Sequence, residues 1–117
     1  MNPSRILRTW PLALCSLFHV TVFAADGAAL PPTTAEVQKL VDQYGCMSCH
    51  GLVHKQVGPG FAQVAERYHG DPAAAATLAT RLRTGTVGRW GRLVMPRQAR
   101  MTEAESLVLS RWVLARP

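Results

Sequence analysis

Five consecutive residues, Cys46-Met47-Ser48-Cys49-His50, constrain this chain more than any other feature of it. Two cysteines three apart on a helical turn project to one side, where each can close a thioether with a vinyl group of a haem. The histidine that follows directs its imidazole at the iron. A bare cysteine pair at this spacing would also suit a thioredoxin-like redox site or a zinc knuckle, but no second pair follows and no β-α-β pattern surrounds this one. The motif predicts one haem c, attached covalently through Cys46 and Cys49 and ligated by His50.

Haem of this kind is attached outside the cytoplasm in most bacterial systems, so an export signal is expected at the N-terminus. Arg5 and Arg8 form a positive start, Trp10 to Val22 is an apolar run too short for a confident membrane span, and Val22-Phe23-Ala24 before Ala25-Asp26 offers a small-residue cleavage site. Residues 1–24 are therefore read as a cleaved signal peptide and 25–117 as one domain, destined for the periplasm. Arg5 and Arg8 are not adjacent, which argues against twin-arginine export. Cys15 falls in the apolar run; Leu14 stands where a lipidation site would want a small residue, so Cys15 is read as apolar filler lost with the signal.

The domain of about ninety residues is too small to build a large core unaided, and a haem would supply the missing apolar surface. The chain carries 13 Lys and Arg against 7 Asp and Glu, a formal net charge of +6. Much of the excess lies in the second half, at Arg81, Arg83, Arg89, Arg92, Arg97 and Arg100. In a nucleic-acid binder such a cluster would be interleaved with stacking aromatics on a strand or recognition helix. Here it brackets loops beside a haem motif, which suits acidic redox proteins, or transient contact with an anionic membrane surface, better than DNA. Solvated arginines without a dedicated partner are the bland alternative. An uncleaved N-terminus would be the other route to a membrane, and a free monomer is expected.

Apolar spacing predicts an all-α fold of four to five helices and no convincing strand. Thr33 and Glu36 form a capping box ahead of Val37, Leu40, Val41 and Tyr44, and Gly45 ends that helix at the haem motif. A second helix carries Phe61, Val64, Ala65 and Tyr68 and stops at Gly70. Asp71 reads as an N-cap with Pro72 at the first helical position, opening an alanine-rich helix that turns Leu78 and Leu82 inward and ends at Gly85. Thr102 and Glu105 cap the last helix, whose Ala104, Val108 and Trp112 are expected to pack on the first. Residues 51–60 and 86–101 read as loops.

A haem iron held by histidine on one side has a sixth position whose ligand decides between electron transfer and catalysis. Met95-Pro96 lies in a glycine-punctuated loop about 45 positions beyond His50, far enough to reach the other haem face. Met95 is the predicted ligand. Met101, at the start of the last helix, suits the core better; Met47 sits inside the attachment motif, His54 one turn after His50 is on the wrong side, and His69 precedes a helix-ending glycine.

Taken in order, Cys46 to His50, Val57-Gly58-Pro59-Gly60, Gly88-Arg89-Trp90-Gly91 and Met95-Pro96 resemble the class I cytochromes c of the bacterial c-551 (c8) type, over a span from about Glu36 to Leu114. The resemblance implies a small monohaem cytochrome c fold. It implies that the Pro59 carbonyl accepts the proton of the His50 ring, that the Trp90 indole N–H bonds a haem propionate, and that Arg81 neutralises one. Read without it, Trp90 is a packed aromatic and Arg81 part of a solvated helix face. Arg92, Val94 and Arg97 stand where the family usually has prolines around the methionine, which predicts a less rigid ligand loop. Gln98 replaces an asparagine near the sulfur. The expected function is a periplasmic one-electron carrier between respiratory proteins, and with both axial positions filled it is not expected to be an enzyme. The alternatives are the haem c subunit of a periplasmic sulfite- or sulfur-oxidising complex, and a haem ligand sensor that releases Met95.

Overall fold

The computed structural model describes residues 33–117, so the expectations for the signal peptide, Arg5, Arg8, Cys15 and cleavage after Ala24 lie outside the described residues. Four α-helices, α1 (Thr34–Gln43), α2 (Phe61–Arg67), α3 (Ala74–Thr84) and α4 (Glu103–Leu114), are joined by a 3-10 turn at Cys46–Ser48 and by two short strands, β1 (Thr86–Val87) and β2 (Val94–Met95).

Both expected capping boxes form. The Thr33 hydroxyl accepts from the Glu36 N–H at 3.3 Å while the Glu36 carboxylate accepts from the Thr33 N–H at 2.8 Å. Thr102 and Glu105 repeat the arrangement at 3.2 and 2.8 Å. Each box satisfies N–H groups that the first turn of a helix otherwise leaves without partners. Val37 and Val41 then enter a core cluster with Met101 and Leu109, flanked by Leu40, Tyr44, Val108 and Trp112. The Tyr44 hydroxyl donates to Glu105 Oε2 at 2.9 Å and ties the end of α1 to the start of α4. Gly45, at φ 62°, turns the chain out of α1 into the haem motif, a conformation that a side chain would strain.

Three details depart from expectation. Ala104 is exposed, and the inward face of α4 is Ser106, Leu109 and Ser110 with Val108 and Trp112 beside them. The reason is that α4 packs on α1, α2 and α3 together, so its buried stripe is wide and includes serines that an apolar pattern does not count. The side chains buried on α3, Ala74 and Ala79, are small like these serines, and small residues allow close backbone approach. Second, the regular part of α3 begins at Ala74 rather than just after Asp71. The Asp71 carboxylate still accepts the Ala73 N–H at 2.8 Å, with Pro72 in the turn ahead of the helix. Third, a segment read wholly as loop contains an antiparallel ribbon, Thr86 paired with Met95 and Val87 with Val94. Two residues per strand are too few for an alternating pattern to register in a sequence.

Glu105 gives this fold a pH dependence. Hydrogen bonds from the Thr102 N–H, then the Thr102 hydroxyl, then Tyr44 hold its carboxyl below the ordinary 4.5. A carboxyl depressed in the folded state stabilises it fully above the unfolded value and loses that contribution as pH falls through the folded one. Melting temperature should therefore decline below about pH 4.5, and Glu105→Gln should flatten that part of the acid limb. An unchanged acid limb in the variant would refute the assignment.

Candidate haem site

A cavity of about 310 Å³ opens between the Cys46–Ser48 turn, the loop after it, α2, α3, the β1–β2 ribbon and α4. Its wall is mainly apolar, built from Phe61 and Val64 of α2, Leu78 and Leu82 of α3, and Leu109 and Trp112 of α4. Cys46, Cys49, His50, Pro59, Arg81, Trp90 and Met95 all line it. Residues more than half the chain apart, from Cys46 to Trp112, are thus brought to one space.

His50 is the most fully constrained of them. Its Nδ1 lies 2.7 Å from the Pro59 carbonyl oxygen. A carbonyl can only accept, so Nδ1 carries the proton and Nε2 keeps its lone pair for a metal. Pro59 is buried and its loop is pinned: the Gly58 N–H donates to the Cys49 carbonyl at 2.8 Å, and the Phe61 N–H to that of Gly51 at 2.9 Å. Phe61 stacks on the imidazole at 5.2 Å between centroids and 16° between planes, and Trp112 meets Phe61 edge-on at 5.2 Å. Gly58 passes so close to the ring that a Cβ there would stand 2.6 Å from His50 Cε1. The orientation of the imidazole is therefore set by backbone, an aromatic face and a hydrogen bond together.

Neither cysteine is in a disulfide; Cys46 is half-buried and Cys49 exposed. Met95 reaches the cavity from β2, half-buried, where pairing with Thr86 fixes its backbone. Trp90 comes from the loop between the strands. Arg81, on α3, donates to the Tyr68 hydroxyl and stands over the Tyr68 ring at 5.6 Å. Among the residues weighed against Met95, Met47 is 39% exposed and lies off the cavity, and His54 and His69 are exposed and off it too. Met101 is 5% exposed and belongs to the core, although it also reaches the cavity wall.

Phe61, Tyr68 and Trp112 were legible in the sequence as core residues, without any sign that they would touch His50, Arg81 or each other. Arg67 carried no signal at all. Contacts between helices leave no spacing pattern in a sequence.

The donor set fits a covalently held haem: two cysteines at the rim outside any disulfide, an imidazole whose Nε2 keeps its lone pair, a methionine thioether on the same cavity, and an apolar wall. This fold and this site define a small haem protein of the c type. A sequence profile described as Cytochrome c matches residues 34–115, and the chain belongs to that family, among the class I cytochromes of the c-551 type. It is 42% identical to cytochrome c-552 of Hydrogenobacter thermophilus over 78 residues, 67% of this chain and 79% of that one. It is 35% identical to cytochrome c-551 of Pseudomonas aeruginosa over 105 residues, 90% of this chain and 96% of the relative. The crystal structure of wild-type Nitrosomonas europaea cytochrome c552 superposes with a TM-score of 0.65 at 30% identity, covering 68% of this chain and 99% of that one. The chain is accordingly a monohaem cytochrome c of electron-carrier type, its haem c attached through Cys46 and Cys49.

Proposed function

We propose that this protein is a periplasmic carrier that takes one electron from an acidic redox partner and delivers it to another, with His50 and Met95 as the two axial ligands. The observation that carries the reading is that His50 and Met95, about 45 positions apart, line one cavity rimmed by the attachment cysteines. When bound, the haem supplies a reversible Fe(III)/Fe(II) couple; the protein does the rest. Pro59 keeps the His50 proton on Nδ1 and so strengthens Nε2 as a donor. Met95 offers a soft thioether that favours the reduced state. Arg81 and the Trp90 indole, both at the cavity wall, would hold the propionates. With His50 and Met95 both on the iron no place would be left for a substrate, which is why the reading is carrier and not enzyme. Export rests on the leader expected at 1–24, removed after Ala24, and the released domain acts as a monomer.

The surface supports an acidic partner. Arg89, Arg92, Arg97 and Arg100 are exposed around the ribbon, beside Leu93 and Val94 at 50% and 63% exposure. Arg83 is different, pairing with Glu103 at 3.7 Å. Attraction between such a face and an acidic protein is screened once the Debye length falls to about 8 Å, near 0.15 M salt. Stopped-flow electron transfer to an acidic redox protein should therefore slow as salt rises. Arg92→Glu and Arg97→Glu should each slow association several-fold at low salt, while Lys39→Glu on α1 should not. Salt-independent rates with both reversals harmless would refute the basic docking face.

A further inference from the structure

One side chain of α2 holds the loop that leads to Met95. Arg67 ends α2, where the helix C-terminus favours a cation. Its guanidinium carbon stands 4.5 Å from the centre of the Trp90 ring, and its Nη1 donates to the Arg89 carbonyl oxygen at 2.5 Å. Both contacts fall on neighbouring residues in the middle of the segment joining β1 to β2. That segment, residues 88–93, has no proline, and Gly88 and Gly91 adopt positive φ of 74° and 91° on either side of Arg89 and Trp90. Among the described residues, none of the loop and turn backbone hydrogen bonds involves residues 88–93. The strand that follows delivers Met95 after only two residues, and its pairing is two residues long. A segment with so little internal restraint depends on what grips it from outside.

We propose that Arg67 is a positioning residue for the axial methionine: by gripping Trp90 and Arg89 it fixes residues 88–93 on α2 and so keeps the Met95 thioether in place on the haem iron. This rests on the reading of Met95 as sixth ligand. Arg67 touches neither the cavity nor the ligand and acts through the loop. A planar guanidinium meets the two demands at once, lying over the indole face while its N–H reaches a carbonyl; an ammonium can offer the charge but not the fork.

The test uses ferric holoprotein. The weak near-infrared band of Met-to-Fe(III) ligation is followed as pH is raised and, separately, as urea is added, with far-ultraviolet circular dichroism recording the helices in the same samples. Arg67→Gln should favour displacement of the methionine by about threefold to tenfold, which lowers the pH midpoint of band loss by about 0.5 to 1 unit. In urea the band should vanish well before the helices unfold, with a wider gap than in the wild type. Arg67→Lys should recover part of the shift, and Lys39→Gln, which removes one charge from α1, none of it. An unchanged midpoint in Arg67→Gln would overturn the proposal. So would an equal shift in Lys39→Gln, or band and helices lost together with no wider gap. Met95→Ala separates the two levels: if the band survives it, the ligand reading itself falls and the Arg67 proposal with it, whereas if the band disappears there, a silent Arg67→Gln refutes Arg67 alone.

Discussion

Cys46→Ser combined with Cys49→Ser is expected to leave almost no folded protein. The cavity between the helices measures about 310 Å³. Without the haem its wall of Phe61, Val64, Leu78, Leu82, Leu109 and Trp112 would lie against water, and each large apolar side chain left so forgoes about 1.5–3 kcal/mol of burial, a large share of the roughly 5–15 kcal/mol that stabilises a small domain. The compact core cluster of Val37, Val41, Met101 and Leu109 is too small to offset it. Thioethers keep the filling group from dissociating, so they hold the fold together as well as the cofactor. Single substitutions, each leaving one thioether, should give reduced yields of less heat-stable holoprotein. Exported yield, pigment and thermal unfolding followed by circular dichroism measure all three variants. A haem-free double variant that is helical and melts like the wild type would show that the fold does not need its haem.

Met95→Ala should have the largest effect on redox behaviour while the helices stay folded. A thioether is a soft, neutral donor that prefers Fe(II), so its loss lowers the reduction potential, by a sizeable part of the roughly 0.8 V span that axial ligands command. The variant should also turn high-spin or take up water, bind carbon monoxide readily when reduced, and lack the near-infrared band. Met101→Leu, a near-isosteric change in the core, should keep the wild-type spectrum. The reverse pattern, with Met95→Ala silent and Met101→Leu altering both spectrum and potential, would move the ligand to Met101. High-spin iron in the wild type at neutral pH would instead favour a ligand sensor over a carrier.

The helices could be read from the sequence because their signals are local. Thr33 with Glu36 and Thr102 with Glu105 announce helix starts through contacts three residues apart, and Val37, Leu40 and Val41 announce a buried face through spacing alone. The attachment motif was equally plain, since its chemistry is fixed by five adjacent residues. The seven site residues meet at one cavity, although Pro59, Trp90 and Arg81 were singled out through family likeness and not through any pattern of their own. What escaped reading has no local signature. The β1–β2 ribbon is held by pairing across a six-residue connection; Ser106 and Ser110 are buried because three helices converge on α4; and Arg67 over Trp90 joins positions 23 apart that only the folded chain brings together.

The bond from Tyr44 to Glu105 joins positions 61 apart and closes the chain into a ring. Closing a flexible circuit of that length costs about 3.6 kcal/mol beyond a constant, and docking of α1 on α4 meets that cost. His50 and Met95 both lie inside the ring, about six positions from one junction and about ten from the other. Once the ring is closed the methionine no longer searches the volume of an open chain; it is tethered near the imidazole at a high effective concentration. A neutral thioether is an intrinsically weak ligand for iron, and on the proposed reading of Met95 this tethering would help it compete with water. Anything that loosens α1 from α4 would dilute the methionine, so with Met95 as ligand the reduction potential should report on the docking of these two helices.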